Sequence, residues 1–275
     1  MHVIPAQSQH APAIAECLRD IARRDLFLSH QQHTQMEDVW LALDQNTIAG
    51  LGWTSQQQRG TELDIRVLPQ FRNLGVGRML FNAITKNLRQ PWLASCDAAQ
   101  ARSIEFLTRR NFTMDGAVYA MRWDGQPEDV PPSFKSADIT ETMDIAGVQR
   151  LFEHSYDGHW LQPKLANLQL DEDAFILVAR IQTEMIGAAL VQRSADTLVL
   201  TGLCTHRDYR QRGVGRGLLC ALMMRAGQCQ LGLVTRVDSS DEVLQQWGQR
   251  LGFWSYRTWL YFSRADGHTG AAGQT

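Results

Sequence analysis

The run Arg72-Asn73-Leu74-Gly75-Val76-Gly77-Arg78 returns further along the chain as Arg210-Gln211-Arg212-Gly213-Val214-Gly215-Arg216. Each copy follows an apolar strand-like stretch and precedes an apolar helix-like one. A basic residue, two spacers and Gly-x-Gly at such a junction let successive backbone N–H groups converge where a helix presents the positive end of its dipole, which suits a pyrophosphate. A phosphate-bearing ligand is the first inference. A Walker loop does not fit, because it needs Gly-Lys followed by Ser or Thr, and here Gly77 precedes Arg78-Met79 and Gly215 precedes Arg216-Gly217. A dinucleotide fingerprint does not fit either, because the positions of its third glycine hold Leu80 and Leu218.

The repeat is wider than the loop. Ile48-Ala49-Gly50-Leu51-Gly52-Trp53 pairs with Met185-Ile186-Gly187-Ala188-Ala189-Leu190, and Arg109-Arg110-Asn111-Phe112 pairs with Arg250-Leu251-Gly252-Phe253, at nearly constant spacing. This is a tandem duplication with a repeat far longer than that of a solenoid. The length of 275 residues accommodates two domains. Asp124-Gly125-Gln126-Pro127-Glu128-Asp129-Val130-Pro131-Pro132-Ser133 clusters Pro, Gly and acidic residues between two apolar-periodic regions. We therefore expect one domain over residues 1–124, a linker over 125–136, a second domain over 137–264 and a tail over 265–275 too poor in apolar residues to fold.

No apolar run is long enough to span a bilayer, and the N-terminal residues do not resemble a secretory signal, so a cytoplasmic location is expected. Five cysteines without a Cys-x-x-Cys pair suit reduced thiols, and no metal site is expected. A net charge of −2 offers no general field for nucleic acid, so the loop arginines are local partners of phosphate.

Each half shows the same order: an amphipathic helix, a strand pair, a long strand, the glycine loop with its helix, another strand, a helix and terminal strands. Ile14, Cys17, Leu18 and Ile21 recur at helical spacing, as do Ile145, Val148, Leu151 and Phe152. Strands are predicted at 39–43, 47–55, 62–67, 92–96, 174–181, 185–193, 197–205 and 231–237, and a helix from Arg78 to about Leu88. A three-layer α/β sandwich around a mixed sheet fits this order.

Val67-Leu68-Pro69-Gln70-Phe71 ahead of the first loop, Thr205-His206-Arg207-Asp208-Tyr209 ahead of the second, and the loops themselves resemble the coenzyme A motif of the Gcn5-related N-acetyltransferases (GNAT). The tandem arrangement is similar to that of mycothiol synthase, whose C-terminal half is the active one. The resemblance implies two three-layer α/β/α domains, each around a mixed, mostly antiparallel sheet, and acetyl-CoA or another acyl-CoA as donor. It implies cofactor contacts from Arg72, Asn73, Leu74, Gly75, Val76, Gly77 and Arg78, and from Arg210, Gln211, Arg212, Gly213, Val214, Gly215 and Arg216. In the family, the strand before the loop and the strand after its helix splay apart, which implies main-chain contacts from Ile65 and Val67 and from Leu203 and Thr205. Gln100 and Asp241 stand where the family often places Asn and join the expected cofactor set.

Transfer to an amine requires that an ammonium lose its proton and that the departing thiolate be stabilised. Alternation along Thr61–Val67 puts Glu62, Asp64 and Arg66 on one strand face, making Glu62 and Asp64 the candidate bases; a solvated, charge-paired face is the competing reading. The second half has Leu200 and Gly202 at those positions, so its base would come from Glu184, His154, Asp157 or His159, with His206 and His33 weaker. A tyrosine common in the family before its Gly-Phe pair is replaced by Leu107 and Gly248, which leaves Tyr119, Tyr256, water, or a copy that binds without turnover. These readings imply an acetyl-CoA-dependent N-acetyltransferase acting on a primary amine of a small molecule by direct transfer. The alternatives are a non-catalytic acyl-CoA-binding regulatory or scaffold protein, or a transferase with a longer donor, for which Ala49, Ala188 and Ala189 would leave room. No nucleic acid or membrane partner is expected.

Overall fold

The computed structural model describes residues 1–24, 37–57, 59–86, 88, 91–131, 137–155, 174–194 and 196–265. In chain order the elements are β1 (His2–Pro5), α1 (Ala11–Arg24), β2 (Glu37–Asp44), β3 (Thr47–Gln57), β4 (Gly60–Val67), α2 (Val76–Thr85), β5 (Trp92–Asp97), α3 (Ala101–Thr108) and β6 (Thr113–Trp123). There follow β7 (Asp138–Glu141), α4 (Ile145–Ser155), β8 (Ala174–Ile181), β9 (Glu184–Ser194), β10 (Thr197–Thr205), α5 (Val214–Gln228), β11 (Gly232–Asp238), α6 (Glu242–Arg250) and β12 (Trp254–Arg264). The strands expected from alternation are present, and the short edge strands β1 and β7 are additions that a run of four residues does not announce. The chain forms two compact units, Met1–Gly116 with Trp259–Thr275, and Ala117–Thr258.

In the first unit the strand order is β1-β2-β3-β4-β5-β12, antiparallel except where β4 meets β5. Side chains alternate across this sheet and find a helix on each face. Leu41, Leu51 and Trp53 pack with Ile14 and Cys17 of α1, while Leu63, Ala94 and Cys96 pack on the other face with Phe81 and Ile84 of α2 and Leu107 of α3. The second unit repeats the plan with order β6-β11-β10-β9-β8-β7. Ile176, Val178, Ala188 and Leu190 face Val148, Leu151 and Phe152 of α4, and the alternate residues Leu177, Ala179, Ala189 and Val191 face Val214, Leu218 and Leu222 of α5. Each unit is thus the three-layer α/β/α sandwich expected.

A matched glycine seats the helix after each glycine loop. A Cβ on Gly50 would lie 2.7 Å from the Arg66 carbonyl and 3.2 Å from both Val76 and Leu80, and one on Gly187 would lie 2.7 Å from Val214 and 3.1 Å from Leu218. These close approaches let α2 and α5 start directly beside the end of the preceding strand.

The units do not follow the linear halves of the sequence. In the first unit β5 is flanked by β12, with Cys96 opposite Leu260 and Ala94 opposite Phe262; in the second, β11 is flanked by β6, with Val237 opposite Tyr119 and Thr235 opposite Met121. The expected boundaries of 1–124 and 137–264 give β6 wholly to the first half and β12 to the second, whereas β6 begins in the first unit and ends in the second and β12 does the reverse. Both strands alternate apolar and polar residues, and alternation fixes which face is buried without fixing which neighbour is paired. The Pro-rich stretch is also more than a spacer. Pro127 lies close enough to α5 that a Cβ on Gly227 would meet it at 2.9 Å, and Val130 packs on the second core. Residues 132–136 of the expected linker and 266–275 of the expected tail lie outside the described residues. Among the described residues no helix is long and apolar enough to cross a membrane.

The strand exchange has a measurable consequence. Phe262 is buried in the first unit's core with Phe81, Trp92 and Phe112. Phe262→Ala should destabilise that unit by about 3–5 kcal/mol, and hydrogen exchange should show amide protection lost along 92–97 while 232–238 keep theirs. Protection lost instead along 232–238 would contradict the assignment of β12.

Candidate functional site

The two glycine loops have the same backbone. Arg72 and Arg210 are extended (φ −68°, ψ 150° and φ −64°, ψ 154°), Asn73 and Gln211 are left-handed (φ 66° and 61°), and Gly75 and Gly213 are left-handed at φ 83° and 84° before the helix begins. A glycine N-cap has no side chain to accept from the first-turn amides, so those donors are left for another acceptor. The side chains of Val76 and Val214 are buried in their cores, so these residues offer the loop only main chain. Gly77 has no such packing demand: a Cβ there would make ordinary contacts with Phe106 at 3.5 Å and Val67 at 3.7 Å, and one on Gly215 would touch Thr205 at 3.5 Å.

The leading arginine of each loop ties it to the strand before it. Arg72 Nε donates to the Val67 carbonyl at 3.2 Å and Arg210 Nε to the Thr205 carbonyl at 3.5 Å. Arg210 also donates to the Ser155 carbonyl at the end of α4. The outer loop residues are secured from the side, where Arg102 donates to Asn73 Oδ1 at 3.1 Å and Arg212 lies over the Tyr209 ring. Leu74 is exposed. Gln100 and Asp241 are the N-caps of α3 and α6; Gln100 accepts from the Ser103 hydroxyl at 3.0 Å, and Asp241 accepts from the Leu244 amide at 2.9 Å.

The parallel strands part in both units. Pairing of β4 with β5 runs through Thr61–Trp92, Glu62–Leu93 and Leu63–Ala94 and stops, and that of β10 with β11 stops after Thr197–Gly232, Leu198–Leu233 and Val199–Val234. The Leu68 amide donates to Ala49 of β3 and the His206 amide to Ile186 of β9. By alternation, the main chain of Ile65 and Val67, and of Leu203 and Thr205, turns toward the opening. The backbone gap expected from the resemblance is present twice, with a glycine loop at its mouth.

The faces beside the two gaps differ. In the first unit Glu62, Asp64 and Arg66 share the α1 face, as alternation requires. Arg66 Nη2 donates to Asp64 Oδ2 at 3.1 Å, and Nε lies 2.9 Å from Oδ1 without hydrogen-bond alignment. Glu62 stands at the last pairs before the strands part. It accepts from Gln57 Nε2 at 3.3 Å and, across the gap, has the Ser95 hydroxyl at 3.5 Å. Burial, reinforced by the neighbouring Asp64 charge, raises its carboxyl above the usual 4.5, with Ser95, Arg66 and Gln57 pulling the other way. A half-buried carboxyl with a raised pKa, at the point where strands open, has the properties of a general base.

In the second unit Leu200 and Cys204 are buried, and Gly202 is packed so that a Cβ would meet Leu190 at 3.1 Å and Phe152 of α4 at 3.5 Å. The register corrects the expected match of Leu200 to Glu62: Val199 lies opposite Gln192 and Val234 as Glu62 lies opposite Ser55 and Leu93, Leu200 turns to α5, and α4 packs on Gly202 and Cys204. A β-bulge between Leu200 and Gly202 breaks the register with β9, and Thr201 donates its hydroxyl to the Leu190 carbonyl at 3.2 Å. Of the other candidates, Glu184 accepts from the Tyr209 hydroxyl at 2.8 Å, a bond that raises the tyrosine's pKa, and His154 Nδ1 is 2.7 Å from the Arg150 carbonyl within α4. His206 is engaged with the Asp208 amide at 3.4 Å. Asp157, His159 and His33 lie outside the described residues. Tyr119 lines the second unit's core, and Tyr256 stacks edge-on with Trp254.

The missing tyrosines have a packing reason. Leu107 is buried in the first core, and a Cβ on Gly248 would already meet Met121 at 3.2 Å. Ala49, Ala188 and Ala189 are fully buried against the helices and do not line a channel. Burial pushes the Cys96 thiol up to about 11 and that of Cys204 to about 12, so neither serves as a thiolate at neutral pH. Sequence reasoning missed Ser95, because a lone serine on a short strand carries no signal until its register opposite Glu62 is known.

Two family models match the chain. The acetyltransferase (GNAT) family matches residues 9–112 and the acetyltransferase (GNAT) domain matches residues 141–257. A search of curated protein sequences gave no match. Among solved structures, a tandem GNAT protein from the clavulanic acid biosynthesis pathway is similar with a TM-score of 0.75 at 14% identity, over 96% of this chain and 98% of that one. A GNAT-family acetyltransferase from Colwellia psychrerythraea gives 0.70 at 13% identity, over 96% and 100% of the two chains. A GCN5-related N-acetyltransferase from Sphaerobacter thermophilus gives 0.65 at 14% identity, over 95% and 94%. At these identities the structural likeness concerns the fold, and the family matches, which together cover most of the chain, carry the assignment. The chain belongs to the GNAT acetyltransferases, as a protein with two GNAT domains.

Proposed function

We propose that the first unit transfers an acetyl group from acetyl-CoA to a primary amine of a small molecule, by direct transfer in a ternary complex, and that both units bind the coenzyme. The observation that carries this reading is the placing of Glu62 where β4 leaves β5. The chain fits the coenzyme through the uncapped helix starts at Gly75 and Gly213, the open side of Gly77 and Gly215, and the strand backbones left without a parallel partner. Bound acetyl-CoA supplies the activated acyl thioester.

The first-turn amides of α2 and the loop arginines hold the pyrophosphate charge, and the main chain of Ile65 and Val67 orients the arm that follows it. Glu62 accepts a proton from the acceptor's ammonium, directly or through water, making the nitrogen a nucleophile. Asp64 is already committed to Arg66 and serves to shape the field around Glu62. Among the described residues the second unit places no such carboxylate there, since Val199 stands at the register position of Glu62 and Gly202 and Cys204 are packed against α4. This favours a binding role without turnover for that copy.

Calorimetric titration with acetyl-CoA should give two sites in the native protein and one each in Gly75→Asp and Gly213→Asp, which place a carboxylate in one loop at a time. No binding to the native protein would overturn the reading. With an amine that is turned over, Glu62→Gln should lower kcat by about 100-fold or more and remove the acid limb of the pH profile, an ionisation above 4.5. Gly213→Asp should leave turnover in place.

Glu62 also links stability to pH. With its carboxyl pKa raised on folding, the native state holds a proton that the unfolded chain has released, in the window from about 4.5 up to the raised value. Glu62 therefore makes stability fall as pH rises through that window. Denaturant melts of Glu62→Gln should show that component of the slope removed and greater stability at neutral pH.

A further inference from the structure

The strand exchange brings a residue to the sheet face beside the first unit's gap that the linear sequence assigns to the other half. In the pairing of β5 with β12, Ser95 is opposite Tyr261 and Asp97 is opposite Trp259. Leu260 and Phe262 pack into the core under α2 and α3, so Tyr261 stands on the other face of the strand, the face shared by Ser95 and Glu62. It is 38% exposed, between neighbours that are partly or fully buried. Ser95, its cross-strand partner, lies within 3.5 Å of the Glu62 carboxyl.

The second unit shows what the same fold does without this set. Asp97 and Asp238 occupy equivalent places, each accepting at 2.8 Å from the amide two residues on, Ala99 and Ser240. Counting back, Ser95 corresponds to Arg236, whose partner on β6 is Ala120. The polar pair Glu62 and Ser95 and the tyrosine beside them thus occur together in the first unit, and Val199, Arg236 and Ala120 replace them in the second.

We propose that Tyr261 is an acceptor-binding residue of the first unit: its ring and hydroxyl form one wall of the amine site, the carboxylates of Glu62 and Asp64 lie across from it, and the acceptor enters as a cation. This rests on the reading that transfer occurs in the first unit. An ammonium between an aromatic ring and carboxylates gains from both. Among the described side chains of β4 and β5 on this face, Glu62, Asp64 and Asp97 outnumber Arg66, which selects against anionic acceptors. The C-terminal strand therefore takes part in choosing the substrate of a site whose loop and base lie near the start of the chain.

The test does not require a known substrate. Full-length Tyr261→Cys is treated with aminoethyl methanethiosulfonate, a cation, and with sulfonatoethyl methanethiosulfonate, an anion. Rates at residue 261 are resolved by mass spectrometry and normalised to those of N-acetylcysteine amide. The cationic reagent should be favoured by about tenfold over the free-thiol ratio, and the preference should collapse when Glu62→Gln and Asp64→Asn are added. A ratio equal to that of the free thiol overturns the proposal. With any amine that the native protein acetylates, Tyr261→Ala should raise the amine KM at least tenfold with kcat within threefold and acetyl-CoA affinity unchanged, and Tyr261→Phe should fall between. An unchanged KM also overturns it. A protein that acetylates no amine refutes the transferase reading, while the labelling ratio still decides whether residue 261 borders a cation site.

Discussion

Three residue pairs of parallel pairing, and then none, set the plan of each unit. Strand β4 is held along its whole length by β3, and β5 is held on its far side by β12, so their inner edges separate without either strand losing support. Main-chain groups that a sheet would normally satisfy are turned toward an opening. The glycine loop lies at its mouth because Gly50 or Gly187 lets the following helix seat against the strand end. An opening flanked by free strand edges follows from this divergence, whichever side chains line it, and it is this opening that the proposed reading gives to the coenzyme.

The lining is where the two copies differ. In the first unit the α1 face beside the gap carries Glu62, Asp64 and Arg66; in the second, the corresponding face is covered by α4, with Phe152 against Gly202 and with Val199 and Cys204 buried. A buried valine contributes about 1.5–3 kcal/mol, whereas a half-buried carboxyl with a raised pKa costs stability at neutral pH. The second copy is packed at this place, and the first holds a destabilising group there, which the proposed transfer would use to move a proton.

Much of this was legible in the sequence. Gly75 and Gly213, Gly50 and Gly187, and the alternation of Glu62, Asp64 and Arg66 all reflect local backbone geometry, and local geometry is what residue spacing encodes. The strand exchange was not legible, because Met121 and Trp123 on β6 and Leu260 and Phe262 on β12 alternate in the same way and would bury the same face beside either partner strand. The nearness of Ser95 and Tyr261 to Glu62 follows from two registers, between β4 and β5 and between β5 and β12, and register across distant segments leaves no local trace. The packed roles of Leu107, Gly248 and the three alanines likewise depend on neighbours from other elements.

The exchange also bears on the order in which the protein is made. When β5 leaves the ribosome, the strand that will cover its outer edge has yet to be synthesised, and the cluster awaiting Leu260 and Phe262 is incomplete. At about 5–20 residues per second, that edge waits on the order of ten seconds. An uncovered strand edge over an unfinished apolar core is a template for pairing with another chain. The first unit to emerge is thus the last to close, and until its final strand arrives the nascent chain is open to mispairing with its neighbours on the same message.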